Sequence, residues 1–130
     1  LPLIRHPYVP PTFFLDEIKQ IPADLENYVL KPLFSFAGQG VIIDVTQADI
    51  DKVKDPENWI LQKKVKYADV IQTPDIPAKA EIRIFYFWKD GASRPVPTNN
   101  LARLSKGKMV GLRYNKDKEW VGGTFCLFAP

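Results

Sequence analysis

The chain has 130 residues, the size of one domain or a large subdomain, and is 45% hydrophobic and 25% charged, so it is expected to fold as a soluble globular unit. Its formal net charge of +3 suits an anionic small ligand and nucleic acid equally. Cys126 is the only cysteine, which excludes an intramolecular disulfide and fits a reducing cytoplasm, the expected location. No apolar run approaches the ~20 residues of a membrane span, so no membrane partner is expected.

Residues 1–27 read as a proline-rich arm and a short helix. Pro2, Pro7, Pro10 and Pro11 make the start extended and irregular. Phe13–Gln20 fits a short helix with Thr12 as its N-cap. Residues 28–130 read as the main domain. Tyr28–Leu33 and Val41–Val45 are expected strands flanking a small-residue loop around Gly38 and Gly40, that is, a hairpin with Lys31 at the end of one arm.

Thr46–Asp55 looks helical, with Thr46 as cap, Asp49 three residues on, an Ile50/Val53 apolar pair, and Pro56 as the stop. Trp59–Val65 reads as a strand that Tyr67–Ile71 continues past a bend. Ala80–Trp88 has the strongest strand signal. Glu81, Arg83, Phe85 and Phe87 alternate with Ile82, Ile84, Tyr86 and Trp88, and Asp90-Gly91 follows as a turn. Ser93–Asn100 reads as a loop and Leu101–Lys106 as either helix or coil. Met109–Tyr114 and Trp120–Phe128 are expected strands joined by the polar turn Asn115–Glu119. The expected fold class is α+β: a mostly antiparallel sheet with one or two short helices around one core. The proline-rich start and the absent initiator methionine lead us to expect an incomplete domain that works with the rest of a longer chain.

The order of chemical features carries more than any one of them. Lys31-Pro32 precedes Gly38-Gln39-Gly40, then Gln62 in ILQKKV, then Glu81 and Arg83 in AEIRIFYF. Asn99-Asn100-Leu101-Ala102-Arg103 and Lys106-Gly107 follow. A lysine beside mobile backbone N–H groups suits triphosphate oxygens.

This order, over Tyr28–Gly107, resembles the ATP-grasp superfamily, especially its glutathione synthetase-like members. The resemblance implies a carboxylate–amine ligase that uses ATP and Mg²⁺ and acts through an acyl phosphate, on small-molecule carboxylate and amine substrates that the sequence does not identify. It implies that Lys31 contacts the α/β-phosphates and that Gly38, Gln39 and Gly40, with Ser35, form a lid over them. It implies that Gln62 to Val65 line the adenine pocket and that Glu81 holds the ribose. Arg83, Arg94, Asn100 and Arg103 would then meet the γ-phosphate or the acyl phosphate, where charge develops and fixed donors stabilise it. The family's Glu-x-Asn magnesium motif does not occur after Gly107, so the metal ligands are unassigned, and Asp117 and Glu119 read as solvated.

Each residue also has a plainer reading. Lys31 fits a surface lysine beside an ordinary turn, Glu81 and Arg83 fit a surface ion pair, and Asn99-Asn100 fits turn geometry. Cys126 in TFCLF reads as an inert thiol, and His6, the only histidine, argues against a His-based metal site. The alternative function is a noncatalytic basic and aromatic module that binds single-stranded nucleic acid through Tyr67, Phe85, Tyr86, Phe87 and Trp88. Exposed rings favour that reading; buried rings favour the ligase.

Overall fold

The computed structural model describes residues 1–110 and 114–127. It divides into two compact units, Leu1–Lys66 and Tyr67–Pro130, each built on its own three-stranded antiparallel sheet. Among the described residues the apolar core cluster lies in the first unit. Helices are few and short, and no helix among the described residues is long and apolar enough to cross a membrane.

In the first unit the strands are β1 (Thr12–Phe14), β2 (Tyr28–Pro32) and β3 (Trp59–Lys63), in the order β1-β3-β2. Leu61 of the central strand lies opposite Phe13 on one side and Leu30 on the other. Strand alternation then sends Leu30 and Leu61, both 0% exposed, to one face, where Leu15 and Val45 complete the core. Ile18, Ile21, Ile50, Val53 and Trp59 pack around it.

The expected Phe13–Gln20 helix is not formed. Thr12–Phe14 is a strand paired with Gln62, Leu61 and Ile60, followed by one 3-10 turn, Leu15–Glu17. An isolated eight-residue helix is marginal, and two phenylalanines beside a central strand gain more from pairing. The second arm of the expected hairpin is also reduced. Only Ile42 of Val41–Val45 bridges to Leu30, with reciprocal bonds of 3.0 and 2.9 Å. Beyond it the chain bends so that Val45 enters the core and Thr46 opens α1 (Gln47–Asp51).

The capping box is present: the Asp49 carboxylate accepts from the Thr46 N–H at 3.0 Å and the Thr46 hydroxyl at 2.6 Å. The helix is shorter than expected, and Pro56 begins a separate 3-10 turn, Pro56–Asn58.

The second unit contains β4 (Lys79–Phe87), β5 (Val96–Ser105) and β6 (Gly122–Thr124), in the order β4-β5-β6. Within the expected loop Ser93–Asn100 and the helix or coil at Leu101–Lys106, residues Val96–Ser105 form one long strand, while Ser93, Arg94 and Pro95 stay outside it as expected. Leu101, Arg103 and Ser105 alternate with Ala102 and Leu104, a period of two that the prolines and asparagines upstream obscure. Pro97, which has no N–H to donate, lies where the β4–β5 register shifts, between Phe85 and Tyr86. The Asp90-Gly91 turn forms as expected, with Gly91 at φ 77° and the Ala92 N–H bonded to the Lys89 carbonyl at 3.0 Å.

Tyr67–Ile71 does not continue β3; only Ile71 bridges, to Ala78. Pro74 and Pro77 instead set a tight turn in which the Thr73 hydroxyl bonds the Asp75 carboxylate and the Ile76 carbonyl. The expected strand Met109–Tyr114 lies partly on residues 111–113, outside the described residues, and Met109 and Val110 form a bend. Of the expected strand Trp120–Phe128, Gly122–Thr124 is formed and Phe128 is outside the described residues. Asn115–Glu119 is a turn as expected, closed by the Lys118 N–H on the Asn115 carbonyl at 3.3 Å.

Candidate functional site

The first group of site residues sits on the face of the β1-β3-β2 sheet opposite the Leu30/Leu61 core. Lys31 lies across from Ile60, and Gln62 lies two residues along β3, so the two are diagonal neighbours on one face. The Lys31 ammonium donates to Gln62 Oε1 at 2.6 Å. Gln62 is only 6% exposed, flanked by Val29 and Thr12 on the neighbouring strands. Burial pushes the Lys31 amine below the ordinary lysine value, because a half-buried ammonium loses part of its hydration. A lysine held this way is a fixed cation whose spare N–H groups point away from one neutral acceptor.

Immediately after Lys31, residues 33–40 are exposed. Ala37 and Gly38 both have positive φ, 51° and 78°, and the Gln39 N–H closes the turn on the Phe36 carbonyl at 2.9 Å. Two successive left-handed residues are the signature of a type I′ turn. Gly40, at φ 75°, folds the loop back onto Pro32: a Cβ there would meet Pro32 Cγ at 3.1 Å. The loop is thereby anchored next to Lys31, with Phe34, Ser35 and Phe36 in solvent at its tip.

The segment after Gln62 is partly committed to the fold. The Lys63 N–H bonds the Pro11 carbonyl at 2.8 Å and the Lys64 N–H bonds the Asn27 carbonyl at 2.7 Å. Val65 follows, exposed and outside the strand.

The second group lies on β4 and β5. Glu81 sits directly opposite Arg103, and Arg83 is two residues along the same face. Glu81 Oε1 accepts from Arg83 Nε at 2.7 Å and from Arg103 Nε at 3.0 Å, with Arg103 Nη2 closing the ion pair. Burial pushes the Glu81 carboxyl up, but the bonds from Arg103 and then Arg83 outweigh it, and the net shift is downward. Tyr67 reaches the same carboxylate; its phenol is raised by burial and then by the Glu81 charge. Two guanidiniums around one carboxylate leave the cluster net cationic.

Asn100, expected beside the transferred phosphate, spends its amide on the backbone. Its Oδ1 accepts from the Cys126 N–H at 2.6 Å and its Nδ2 donates to the Cys126 carbonyl at 3.0 Å. Arg94 is in an exposed bend. Cys126 is free and partly buried.

The structure thus joins Lys31, Gln62 and the Gly38–Gly40 loop in one unit, and Glu81, Arg83 and Arg103 in the other. Two polar centres escaped the sequence reading. Asn115 Oδ1 accepts from the N–H groups of Lys106 and Gly107, each at 2.9 Å, and from the Ser105 hydroxyl at 3.2 Å. The Lys106 side chain, fully buried, pairs with Asp75. Both link residues distant in sequence, so no local pattern announces them.

The rings of Phe85, Tyr86, Phe87 and Trp88 are exposed, the placement that favours base stacking. Among the described residues no group of three or more His, Cys, Asp or Glu converges to hold a metal ion. An open depression of about 290 Å³ lies between Ile42, Val53, Trp59, Asp49 of α1 and Lys52 just after it, and includes none of the expected site residues. Comparison with family models, with curated proteins and with solved structures found no match.

Proposed function

We propose that this chain is the ATP-binding part of an ATP-grasp-type ligase, in which a carboxylate is activated as its acyl phosphate and then captured by an amine. The observation that carries the reading is the Lys31–Gln62 pair at 2.6 Å beside an exposed glycine turn anchored on Pro32. A half-buried ammonium loses hydration that one neutral acceptor offsets only in part, and a phosphate is an anionic partner that its position beside a left-handed turn suits.

In this reading Lys31 meets the α/β-phosphates and the Gly38-Gln39-Gly40 loop closes over them. The chain from Gln62 to Val65 meets the adenine. Asn100 acts by holding Cys126 rather than by touching substrate. The described residues do not fit a protein-built magnesium site; magnesium enters this reading only with the nucleotide's phosphates. Isothermal titration with a non-hydrolysable ATP analogue, with and without Mg²⁺, tests it. Saturable binding that Lys31→Ala weakens tenfold or more, about 1.4 kcal/mol, supports the reading. A folded sample that takes up no adenine nucleotide refutes it.

A second reading has its own support. The exposed rings of Phe85 to Trp88, beside Arg83 and Lys89, suit a single-stranded nucleic-acid platform. That reading requires oligonucleotide binding that falls steeply with salt as counterions are released.

A further inference from the structure

Strand β4 is nine residues long and forms one edge of its sheet: β5 occupies one side, and among the described residues no strand occupies the other. Ile82, Ile84, Phe85, Tyr86 and Phe87 along it are all exposed. A long, apolar, open edge offers its unpaired N–H and C=O groups to another strand.

We infer that the occupant is β4 of a second copy, paired antiparallel about a twofold axis through Ile82, so that two three-stranded sheets become one of six. Charge complementarity selects the partner, and charge together with overlap selects the register: a pairing centred on Ala80 would also set Glu81 against Lys79, but over Lys79–Glu81 of β4 alone. A twofold between antiparallel strands sets residue i opposite residue j with i + j constant, and opposite residues share a face. Centred on Arg83, the pairing would set Arg83 against its own copy. Centred on Glu81, it would set Glu81 against Glu81 and Arg83 against Lys79.

Centred on Ile82, it sets Glu81 of each chain against Arg83 of the other, twice. It also sets Ile82 against Ile82, Ala80 against Ile84, and Lys79 against the face of Phe85. Arg83 is free to make this contact: its side chain is about half exposed, and Nε alone is engaged within the chain among the described residues. The alternating charges that discourage other edge-to-edge pairings are satisfied in this one. The inference stands apart from the nucleotide reading as Lys31, Gln62 and the glycine loop carry it, since those residues lie on the other sheet; it does engage Glu81 and Arg83, through the strand edge and not a ligand.

Sedimentation velocity across a concentration series of the full chain tests the dimer, and cysteine cross-linking tests the register. Ile82→Lys, which sets two ammonium groups together at the axis, is expected to raise the dimer dissociation constant more than about tenfold. In a Cys126→Ser background, Ile82→Cys is expected to form an intermolecular disulfide on mild oxidation. Opposite residues lie about 5 Å apart at Cα, within disulfide range. Ile84→Cys is not expected to cross-link, because its copies would be roughly 14 Å apart along the strands. A chain that stays monomeric at every concentration, or a dimer cross-linked through Ile84 in preference to Ile82, overturns the inference. If Ile82→Lys does not fold, the cysteine pair decides alone.

Discussion

Residues 1–66 and residues 67–130 are almost equal in length, yet their interiors are made of different material. The first unit closes around Leu15, Leu30, Val45 and Leu61, an apolar cluster on one face of a three-stranded sheet. The buried residues of the second are Ala78 and Ala102 together with Ser105, Lys106 and Asn115. One unit is held by removing hydrocarbon from water; the other leans on bonds that must be made with correct geometry once the groups are buried. The difference teaches where each can carry a functional charge. The first unit keeps its apolar face for folding and frees the opposite face for Lys31 and Gln62. The second spends many of its polar groups on itself, Arg83 included through Glu81, although about half of the Arg83 side chain stays exposed.

The comparison can be broken most sharply at Leu61. Leu61→Ala should cost about 2–5 kcal/mol, because a fully buried side chain beside Leu30 leaves a cavity the sheet cannot fill. The loss should appear in the fluorescence transition of Trp59, with Trp88 and Trp120 replaced by Phe. The matching lesion in the second unit is Gly107→Ala. Its Cβ would lie 2.2 Å from the Tyr114 carbonyl oxygen, a backbone atom that must move. We expect a loss of about 1–3 kcal/mol, read from Trp88 and Trp120 with Trp59 replaced. Asn115→Ala should fall in the same range, since it strands the N–H groups of Lys106 and Gly107.

A smaller effect separates the units by pH. The Asp75 carboxyl is held well below its usual range by Lys106 and then Thr73, and Glu81 is held low by its arginines against the opposing effect of burial. A carboxyl whose folded value is depressed stabilises the fold above its unfolded value of about 4, and that contribution is lost as pH falls below it. The second unit should therefore lose stability on acidification from about pH 4 downward, and Asp75→Asn should flatten that dependence in thermal melts. In the first unit the comparable downward shift of a carboxyl among the described residues is at Asp49, the exposed capping-box partner of Thr46 in the first turn of α1. The smallest effect on stability is expected from replacing Lys31 and Gln62 together by Met. Removing both partners leaves no orphaned polar group, so the melting temperature should hold while nucleotide binding disappears.

What the sequence made legible follows the range of the interactions. The capping box of Thr46 and Asp49, the strands around Leu30, Leu61 and Ile84, and the Asp90-Gly91 turn rest on neighbouring residues, and all are present. The helix expected at Phe13 failed because a distant strand, β3, offered pairing that local propensity cannot see. Strand β5 was hidden by Pro97 and the paired asparagines. With it went the view that Arg103 faces Glu81, although the period-two pattern of Leu101 to Ser105 carried the signal. Lys31 and Gln62 lie 31 residues apart in sequence; that they bond on one sheet face depends on the β2–β3 register. Asn115 and the Lys106–Asp75 pair join residues across turns and had no sequence signature at all.

The central claim is that the face bearing Lys31 and Gln62 takes a nucleotide. Amide chemical-shift mapping of the full chain with a non-hydrolysable ATP analogue tests it most directly. The account predicts saturable shifts at Lys31, Gly38 to Gly40 and Gln62 to Val65 that vanish in Lys31→Ala. Shifts confined to Phe85–Trp88, or no shifts from a folded chain, would contradict it.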